Sequence, residues 1–385
     1  MYSEFEVHNF RGFSNLNVTN LARVNLVAGL NNSGKTALLE ALFIHAGAFN
    51  PEILLRVNSF RGLSRSEISV EPQVPGPWNS LFRNFNLAEN IEFVARSSQK
   101  VPESVKLRIV QDSEELNEIY REYLQKGQEG TFLANRKQRR LQPKSEKTAT
   151  ADSNKIPSYL STAAHVLEVI CAGGKFGKVK YYHIFDRKGQ RIIPIPPAVT
   201  HQAVFMPASL KPLADDIDRF SLLETQKKLD DLLEVLQIIE PRLKRLALVI
   251  EDGLPSIQGD IIGIDRLLPL VLMGEGTYRL SSIIMAIAFA KNGLVMVDEI
   301  ENGFHYSVLP KVWNAIDKAS MQFNCQIFLS THSLECIAAA QKNFVESKSY
   351  DFSFHRLERG PKDVKAVGYD KGSLTAALES QFEVR

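Results

Sequence analysis

One short segment near the N-terminus constrains the fold of this chain more than any other. The strand-like apolar run Val24 to Ala28 leads directly into the loop GLNNSGKT, residues 29–36. The run ALLEALF that follows has its apolar residues at near-helical spacing. The spacing G-x-x-x-x-G-K-T between a strand and a helix is typical of a loop that holds phosphate groups. The sequence therefore predicts an α/β fold with a phosphate-binding loop.

The residue types in this loop suit nucleotide binding. Glycines let the backbone wrap so that its N–H groups face phosphate oxygens, and the start of the helix adds positive potential. We expect Lys35 to reach the β- and γ-phosphates and the Thr36 hydroxyl to bind Mg²⁺. ATP and Mg²⁺ are the predicted cofactors. The other loop residues expected at the nucleotide are Asn31, Asn32, Ser33 and Gly34.

A second segment, LVMVDEIENGFH at residues 294–305, places acidic residues directly after an apolar strand. Adjacent carboxylates at the end of a buried strand are costly unless a cation compensates them. Asp298 suits the acid that holds the hydration shell of Mg²⁺, because a strand-end acid does this in P-loop proteins. Glu299 suits the base that orients and deprotonates the attacking water.

A third apolar strand ends in FLSTHS, with His332 at its tip. Ligands of open α/β sheets bind at the carboxyl ends of the strands, so we expect the three strand ends to meet. His332 is then predicted to sense the γ-phosphate, although an isolated histidine in such a place would more often be structural.

Together NFRGF near the start, GLNNSGKTALLEALF, VMVDEIENGFH and FLSTHS resemble the ABC-class ATPases of the SMC, RecF and OLD branch. They are most similar to the compact OLD-like AAA ATPases of bacterial defence loci. The resemblance implies a P-loop NTPase fold whose two heads sandwich two ATP molecules. It also implies that Arg11 approaches the nucleotide and that Glu301 to His305 lie at the dimer interface. A surface ion pair for Arg11, and helix capping for Glu301 and His305, remain open.

The family's Ser-Gly-Gly signature, which contacts the γ-phosphate of the opposite subunit, is altered here. The corresponding segment, residues 272–293, has Gly274-Glu-Gly276 leading into a predicted helix, so a loop-to-helix geometry is expected without the serine. Backbone amides around Gly276 and Thr277, together with Arg279, could still bind the partner's phosphate at the helix N-terminus.

The chain divides into an ATPase head at residues 1–95 and 261–385 and an inserted α+β lobe at 96–260. Within the lobe, residues 126–155 are polar and locally basic, which fits a mobile surface loop or a contact with DNA or a partner protein through Arg136, Lys137, Arg139 and Arg140. Short strands are predicted over 158–206, as a small sheet within the insertion.

Residues 211–250 are predicted to be helical, because leucines recur every seven residues, with Pro241 breaking the run into two helices. This region would form either a lobe packed on its own head or a contact with a second copy or partner.

Composition narrows the class of protein further. The 385 residues are 44% hydrophobic and 23% charged, which is ordinary for a globular protein, and the net charge of +2 does not indicate a broad DNA-binding surface. Cys171, Cys325 and Cys336 lack metal-ligand spacing and are expected to be reduced thiols. With neither a membrane span nor a signal peptide in the sequence, a cytoplasmic location is predicted.

A nuclease active site is not expected in this chain. OLD nucleases carry a TOPRIM domain after the ATPase, and too little sequence follows His332 for one. The segment VIEDG at 249–253 is similar to a TOPRIM acid motif, but it precedes the acidic strand, where a nuclease fold could not be completed.

The sequence therefore predicts a Mg²⁺-dependent ATPase. The resemblance to defence ATPases implies that its heads form a homodimer or a higher homo-oligomer and that its turnover controls a separately encoded nuclease or toxin effector in anti-phage defence. The alternative is a DNA repair or DNA-clamping ATPase like RecF and SMC, and DNA is a possible partner. A nucleotide-binding scaffold with negligible turnover is a third possibility, because the signature is irregular.

Overall fold

The computed structural model describes residues 1–50, 52–62, 76–97, 101–119, 121–122, 131–132, 165–174, 177–186, 189–197, 202–209, 214–347, 349–361 and 363–385. The predicted basic loop at 126–155 lies outside these residues apart from Thr131 and Phe132.

The strands in chain order are β1 (Glu4–Phe10), β2 (Phe13–Val18), β3 (Val24–Ala28), β4 (Ile91–Arg96), β5 (Glu103–Val110), β6 (Thr131–Phe132), β7 (His165–Ala172), β8 (Lys178–Asp186), β9 (Gly189–Ile193), β10 (Ala203–Met206), β11 (Leu243–Glu251), β12 (Leu254–Ile261), β13 (Leu268–Pro269), β14 (Leu294–Val297), β15 (Gln326–Ser330), β16 (Phe352–Arg359) and β17 (Val364–Tyr369). The helices are α1 (Lys35–Ala46), α2 (Ile53–Phe60), α3 (Ser113–Ile119), α4 (Ala214–Thr225), α5 (Leu229–Leu236), α6 (Glu275–Phe289), α7 (Leu309–Gln322), α8 (Leu334–Glu346) and α9 (Lys371–Glu379).

A mainly parallel sheet forms the centre of the molecule. Its strand order is β10-β14-β15-β3-β16-β17, and β17 alone in this sheet runs antiparallel to its neighbour. The strands β3, β14 and β15 are buried throughout, so they read as continuous apolar runs, as parallel strands covered on both faces do. The predicted α/β fold is confirmed.

The two faces of this sheet pack against different layers. Val295 and Ile327 face a core that contains α6 and α7. Met296 and Phe328, one residue further along their strands, belong to a second core formed with α1 and the first strands of the chain. This alternation follows from the two-residue period of a strand. Helix α1 is thereby buried between two sheets, which explains why the helix itself carries buried apolar residues on all of its faces.

The second sheet is antiparallel, with strand order β2-β1-β4-β5-β7-β8-β9-β6. The prediction that residues 158–206 form a small sheet of their own was wrong. Strands β7 to β9 continue the sheet that begins at β1, and β10 joins the parallel sheet beside β14. Strand pairing therefore runs across the expected boundary at residue 96, because β5 pairs with both β4 and β7.

The helical prediction for residues 211–250 was correct for one part and wrong for another. Helices α4 and α5 cover Ala214–Thr225 and Leu229–Leu236 and pack against α6 of the same chain. Beyond Pro241 the chain forms β11, which pairs with β12 in a small antiparallel sheet. VIEDG lies in this hairpin, where Asp252 and Gly253 form the turn with positive φ angles of 51° and 77°.

Further expectations concern cysteines and membrane spans. All three cysteines are free and buried, as predicted, and burial raises the pKa of each thiol to about 12. Among the helices of the described residues, none has the length and apolar character needed to cross a bilayer.

Candidate active site

The three polar strand ends singled out in the sequence meet at one edge of the parallel sheet. Strand β15 lies between β3 and β14, and all three run in the same direction, so their carboxyl ends are neighbours. The loop after β3 carries Lys35 and Thr36, β14 leads into Asp298 and Glu299, and β15 leads into His332. The expected convergence is present.

Two positions in the loop after β3 have no room for a side chain. Gly29 has φ of 148°, and a Cβ there would come within 2.5 Å of Ser33 Oγ and 2.7 Å of Leu357 O. Gly34 has φ of 103°, and its Cβ would meet the Phe13 ring at 2.7 Å. Both positions therefore require glycine, as expected for a backbone that wraps around phosphate groups.

Two side chains of the loop, those of Lys35 and Ser33, could donate hydrogen bonds to a ligand. Lys35 lies buried, and its Nζ donates to the carbonyl oxygens of Gly29 at 2.6 Å and Leu30 at 3.1 Å. Burial lowers the pKa of Lys35, while the carboxylates of Asp298, Glu299 and Glu301 oppose that shift. The buried Ser33 Oγ has no hydrogen-bond partner among the described residues. These observations fit a phosphate group, which would accept from both side chains.

A hydrogen-bonded network joins the loop to the other two strands. Thr36 Oγ1 donates to Asp298 Oδ2 at 2.8 Å, and Ser330 Oγ donates to Asp298 Oδ1 at 2.5 Å. The backbone N–H of Glu299 donates to the same Ser330 hydroxyl at 2.8 Å. Ser330 thus holds the acid pair in place. It was not among the residues expected at the site, although FLSTHS placed a serine at the end of a strand.

Glu299 has a strained backbone that its neighbours stabilise. Its φ is 48°, which is unusual for a residue other than glycine and marks many functional sites. Asn302 Nδ2 donates to Glu299 Oε2 at 2.8 Å and orients the carboxylate. Arg279 Nη2 donates to the carbonyl oxygens of Asp298 at 2.9 Å and Glu299 at 3.1 Å.

These contacts place Arg279 inside its own protomer. The residue is buried, with a further hydrogen bond of 3.4 Å from Nη1 to Ala208 O. Burial lowers its pKa, and the nearby carboxylates of Glu301, Asp298 and Glu299 oppose that shift. The arrangement gives no support to the predicted contact of Arg279 with a partner's phosphate, because the guanidinium would first have to leave these carbonyls.

The predicted loop-to-helix geometry around Gly276 is present. Helix α6 begins at Glu275, and Gly276 lies in its first turn. A Cβ at Gly276 would approach Gly303 O at 2.9 Å and the Phe304 ring at 3.2 Å. Close packing of α6 on the segment after Glu299 therefore explains this glycine, and a phosphate contact at the same place stays a prediction.

His332 is joined to Glu301. Glu301 Oε1 accepts from the backbone N–H of His332 at 2.7 Å and lies 2.9 Å from its ring Nδ1. The imidazole is half-exposed, so its outer edge can meet a ligand. His305 caps the short helix Tyr306–Val308, with its ring nitrogen accepting from Ser307 N at 3.4 Å. The capping alternative thus holds for His305 and not for Glu301.

Arg11 binds a buried carboxylate. Its Nε donates to Glu40 at 3.2 Å, Nη2 donates to Asn58 Oδ1 at 3.2 Å, and Nη1 donates to Ser80 O at 2.9 Å. Arg61 holds the other oxygen of Glu40 at 2.7 Å. Because Arg11 is almost fully buried, this is an interior ion pair rather than the surface pair considered from the sequence. Its approach to the nucleotide stays a prediction.

With the site's geometry established, comparison with known proteins identifies the family. A family model described as "AAA domain" matches residues 4–251, which contain the glycine-rich loop. The chain belongs to the AAA domain family. A second model, described as "AAA domain, putative AbiEii toxin, Type IV TA system", matches residues 198–338, which contain the acidic strand and His332. Family membership and the phosphate-binding loop make this AAA domain protein an ATPase.

Individual relatives are distant. This AAA domain protein is 21% identical over 343 residues to the "ATP/GTP phosphatase" of Helicobacter pylori, across 88% of this chain and 86% of that protein. It is 37% identical over 65 residues to "Uncharacterized protein MJECL11" of Methanocaldococcus jannaschii, across 17% of this chain and 57% of that protein.

Similar solved structures include an SMC head bound to the C-winged helix domain of ScpA, with a TM-score of 0.46, 12% identity and coverage of 98% and 99% of the two chains. The SMC head domain from Thermotoga maritima has a TM-score of 0.40, 11% identity and coverage of 96% of this chain and 99% of that chain.

Proposed function

We propose that this ATPase is a molecular switch whose heads close around ATP and Mg²⁺ and thereby control a separately encoded effector protein. One observation carries the proposal: among the described residues, exposed side chains flank the acid pair, in which Asp298 is buried and Glu299 is half-buried. Leu30 of the phosphate-binding loop and Tyr306 beyond the acid pair are exposed apolar residues, and His332 is half-exposed between their segments. Hydrolysis needs one positioned water, whereas closure of the site excludes bulk water, so we expect a covering surface.

A second copy of the head is the proposed cover. Leu30 and Tyr306 would supply apolar contacts to such a cover. In this arrangement Glu299 acts as the base toward the attacking water, and Asn302 orients its carboxylate. Lys35 would move from the loop carbonyls to the phosphates, and Thr36 and Asp298, which are hydrogen-bonded to each other, would hold Mg²⁺. When bound, Mg²⁺ neutralises charge that develops on the phosphate oxygens.

The proposed effector and the proposed role in anti-phage defence are based on the similarity of this chain to a family model and to OLD-like ATPases. The family model described as "AAA domain, putative AbiEii toxin, Type IV TA system" matches the part of the chain that contains β14 with Asp298 and β15 with His332. The motif resemblance to OLD-like ATPases points in the same direction. The proposed effector is a nuclease or toxin encoded next to this gene.

Sedimentation with and without ATP tests the switch itself. Wild type should hydrolyse ATP slowly, and Glu299→Gln should accumulate an ATP-bound dimer because binding persists without turnover. Lys35→Ala should stay in its nucleotide-free state of association. An unchanged sedimentation profile of Glu299→Gln at saturating ATP and Mg²⁺ would refute head closure.

Phage challenge tests the biological role. Cells that carry the gene with its neighbours should form fewer plaques than cells with an empty vector, and Lys35→Ala should abolish that protection. Lys291→Ala, which changes an exposed lysine beyond α6, is the matched control and should protect like wild type. Protection that survives Lys35→Ala would mean that ATP does not control the effector, and a locus without protection would remove the defence role.

A further inference from the structure

Strand β11 forms an unpaired edge of the small sheet that it shares with β12 and β13. Among the described residues, no strand pairs with the outer side of this nine-residue strand. Near its end Ile250 is 70% exposed, although it follows Leu246 and Leu248, which pack into the core on the same face. A long free edge with exposed apolar residues invites another strand, and proteins generally either block such edges or use them.

The hairpin turn determines which backbone groups face outward. The turn residues Asp252 and Gly253 both have positive φ, as in a two-residue hairpin, so the flanking Glu251 and Leu254 exchange backbone hydrogen bonds. Hydrogen-bonded and non-bonded positions alternate along an antiparallel pair. The N–H and C=O groups of Leu246, Leu248 and Ile250 therefore point away from β12, toward the open edge.

The charges along β11 indicate what pairs there. Lys244 and Arg245 lie at its start, and Glu251 and Asp252 lie at its end and in the following turn. An identical strand running antiparallel would bring the basic start of each copy to the acidic end of the other. Such a two-fold interface uses the same patch on both chains.

We propose that β11 pairs with β11 of a second copy, centred on Leu248, to form a dimer that does not require nucleotide. This register places Arg245 opposite Glu251 of the second copy, and it brings Lys244, at the irregularity between Leu243 and Arg245, to the end of the second strand where Asp252 lies. It also sets the exposed Ile250 against Leu246. Centring the pair on Ala247 instead would put Arg245 opposite Val249 and leave the charges unmatched.

Within one chain Arg245 already lies 3.5 Å from Asp260 of β12. Its side chain is still 60% exposed, so a second carboxylate can approach it from the open side. Cross-strand pairs of opposite charge stabilise a sheet and like charges opposite one another destabilise it. The self-pairing therefore has a charge-dependent register that can be tested directly.

The test is sedimentation velocity of the full chain without nucleotide. Wild type should dimerise, and Ile250→Lys should raise the dimer dissociation constant at least about 10-fold, since a lysine would face Leu246 of the second copy. The matched control is Leu272→Lys, at a site 67% exposed in the segment after β13, the strand at the opposite edge of the sheet. It should dimerise like wild type. A monomeric wild type, or equal weakening by both variants, would overturn the proposal.

Charge reversal tests the register. Arg245→Glu and Glu251→Arg should each weaken the dimer, and the double variant should recover most of the lost affinity because each copy again faces its opposite charge. Circular dichroism confirms that each variant is folded. Single variants without effect, or a double variant that is not rescued, would refute this pairing.

The test of the nucleotide-free dimer can fail or succeed independently of the test of the proposed ATP-driven switch. Ile250→Lys combined with Glu299→Gln should still associate when ATP is added, because the head surface is unchanged. Loss of the nucleotide-free dimer therefore leaves ATP-dependent closure to be judged on its own.

Discussion

Thr36 and Asp298 are 262 positions apart in the chain, yet the threonine hydroxyl donates to the aspartate at 2.8 Å. The contact exists because β3 and β14 flank β15 in one parallel register, which brings their carboxyl ends together. A threonine at the start of a helix and an acid at a strand end thus form a ready pair of oxygen ligands for a small divalent cation.

Lys35→Ala should raise the dissociation constant for ATP by about 100-fold, because a charge-assisted hydrogen bond to phosphate contributes about 3 kcal/mol. Titration with a fluorescent ATP analogue measures it. Lys291→Ala controls for the loss of a lysine elsewhere. Wild-type affinity in Lys35→Ala would contradict the assignment of the loop.

Substitutions of Asp298 and Glu299 should affect ATP hydrolysis in different ways. Glu299→Gln should keep ATP and Mg²⁺ bound and reduce turnover by about 100-fold or more, because the base is lost. Asp298→Asn should instead raise the Mg²⁺ concentration needed for half-maximal turnover. Steady-state phosphate release over a range of Mg²⁺ concentrations distinguishes the two. Near-normal turnover in Glu299→Gln would mean that the roles are reversed.

Arg279→Glu should destabilise the fold rather than act at a dimer interface. The substitution buries an unpaired carboxylate beside the carbonyl groups that the guanidinium now holds. Breaking a buried charged contact costs about 3–5 kcal/mol, so the thermal midpoint should fall clearly. Arg266→Glu, an exposed change upstream of α6, should leave the midpoint unchanged. A normal midpoint combined with loss of ATP-dependent association would restore the trans contact.

Stability should decrease on mild acidification, partly because of His45. Burial lowers its pKa to about 4, so it stays neutral in the folded chain down to that pH. In the unfolded chain it binds a proton below its ordinary pKa of about 6.5, so the unfolded state takes up more protons in this window. This histidine therefore contributes a loss of stability of roughly 3 kcal/mol as the pH falls from about 6.5 to about 4.

The buried His183 acts in the same direction, because its pKa is lowered to about 3. Thermal midpoints at several pH values should show a smaller acid loss for His45→Gln than for wild type. An unchanged slope in His45→Gln would show that His45 is not the responsible group.

Much of the site could be predicted from sequence because its residues follow local rules. A glycine loop before a helix, and acids or a histidine after apolar strands, carry their chemistry in short segments. Ser330 was missed because a serine at a strand end is common and reveals nothing of its neighbour. Its link to both Asp298 and Glu299 exists only once β14 and β15 pair.

Long-range packing and competing periodicities lie beyond what short segments reveal. The trans contact of Arg279 stays a prediction, but nothing in its own segment indicates that α6 packs the guanidinium against the turn after β14. Over residues 243–250 the leucine spacing favoured a helix, whereas the alternation of core-facing Leu246 and Leu248 in the actual strand has period two. Pro241 was expected to separate two helices, but the break between α4 and α5 lies at residues 226–228, and Pro241 instead precedes β11.

Helix α1 has a mechanical consequence for the molecule. The helix carries Thr36 in its first turn and Glu40 one turn later. Glu40 forms ion pairs with Arg11 of the β1–β2 turn and with Arg61, which follows α2. A rotation of the helix as the phosphate groups engage its N-terminus would turn Glu40 and pull on both arginines. The β1–β2 hairpin and α2 would then shift when the loop binds phosphate groups, so the positions of these two elements would depend on whether nucleotide is bound.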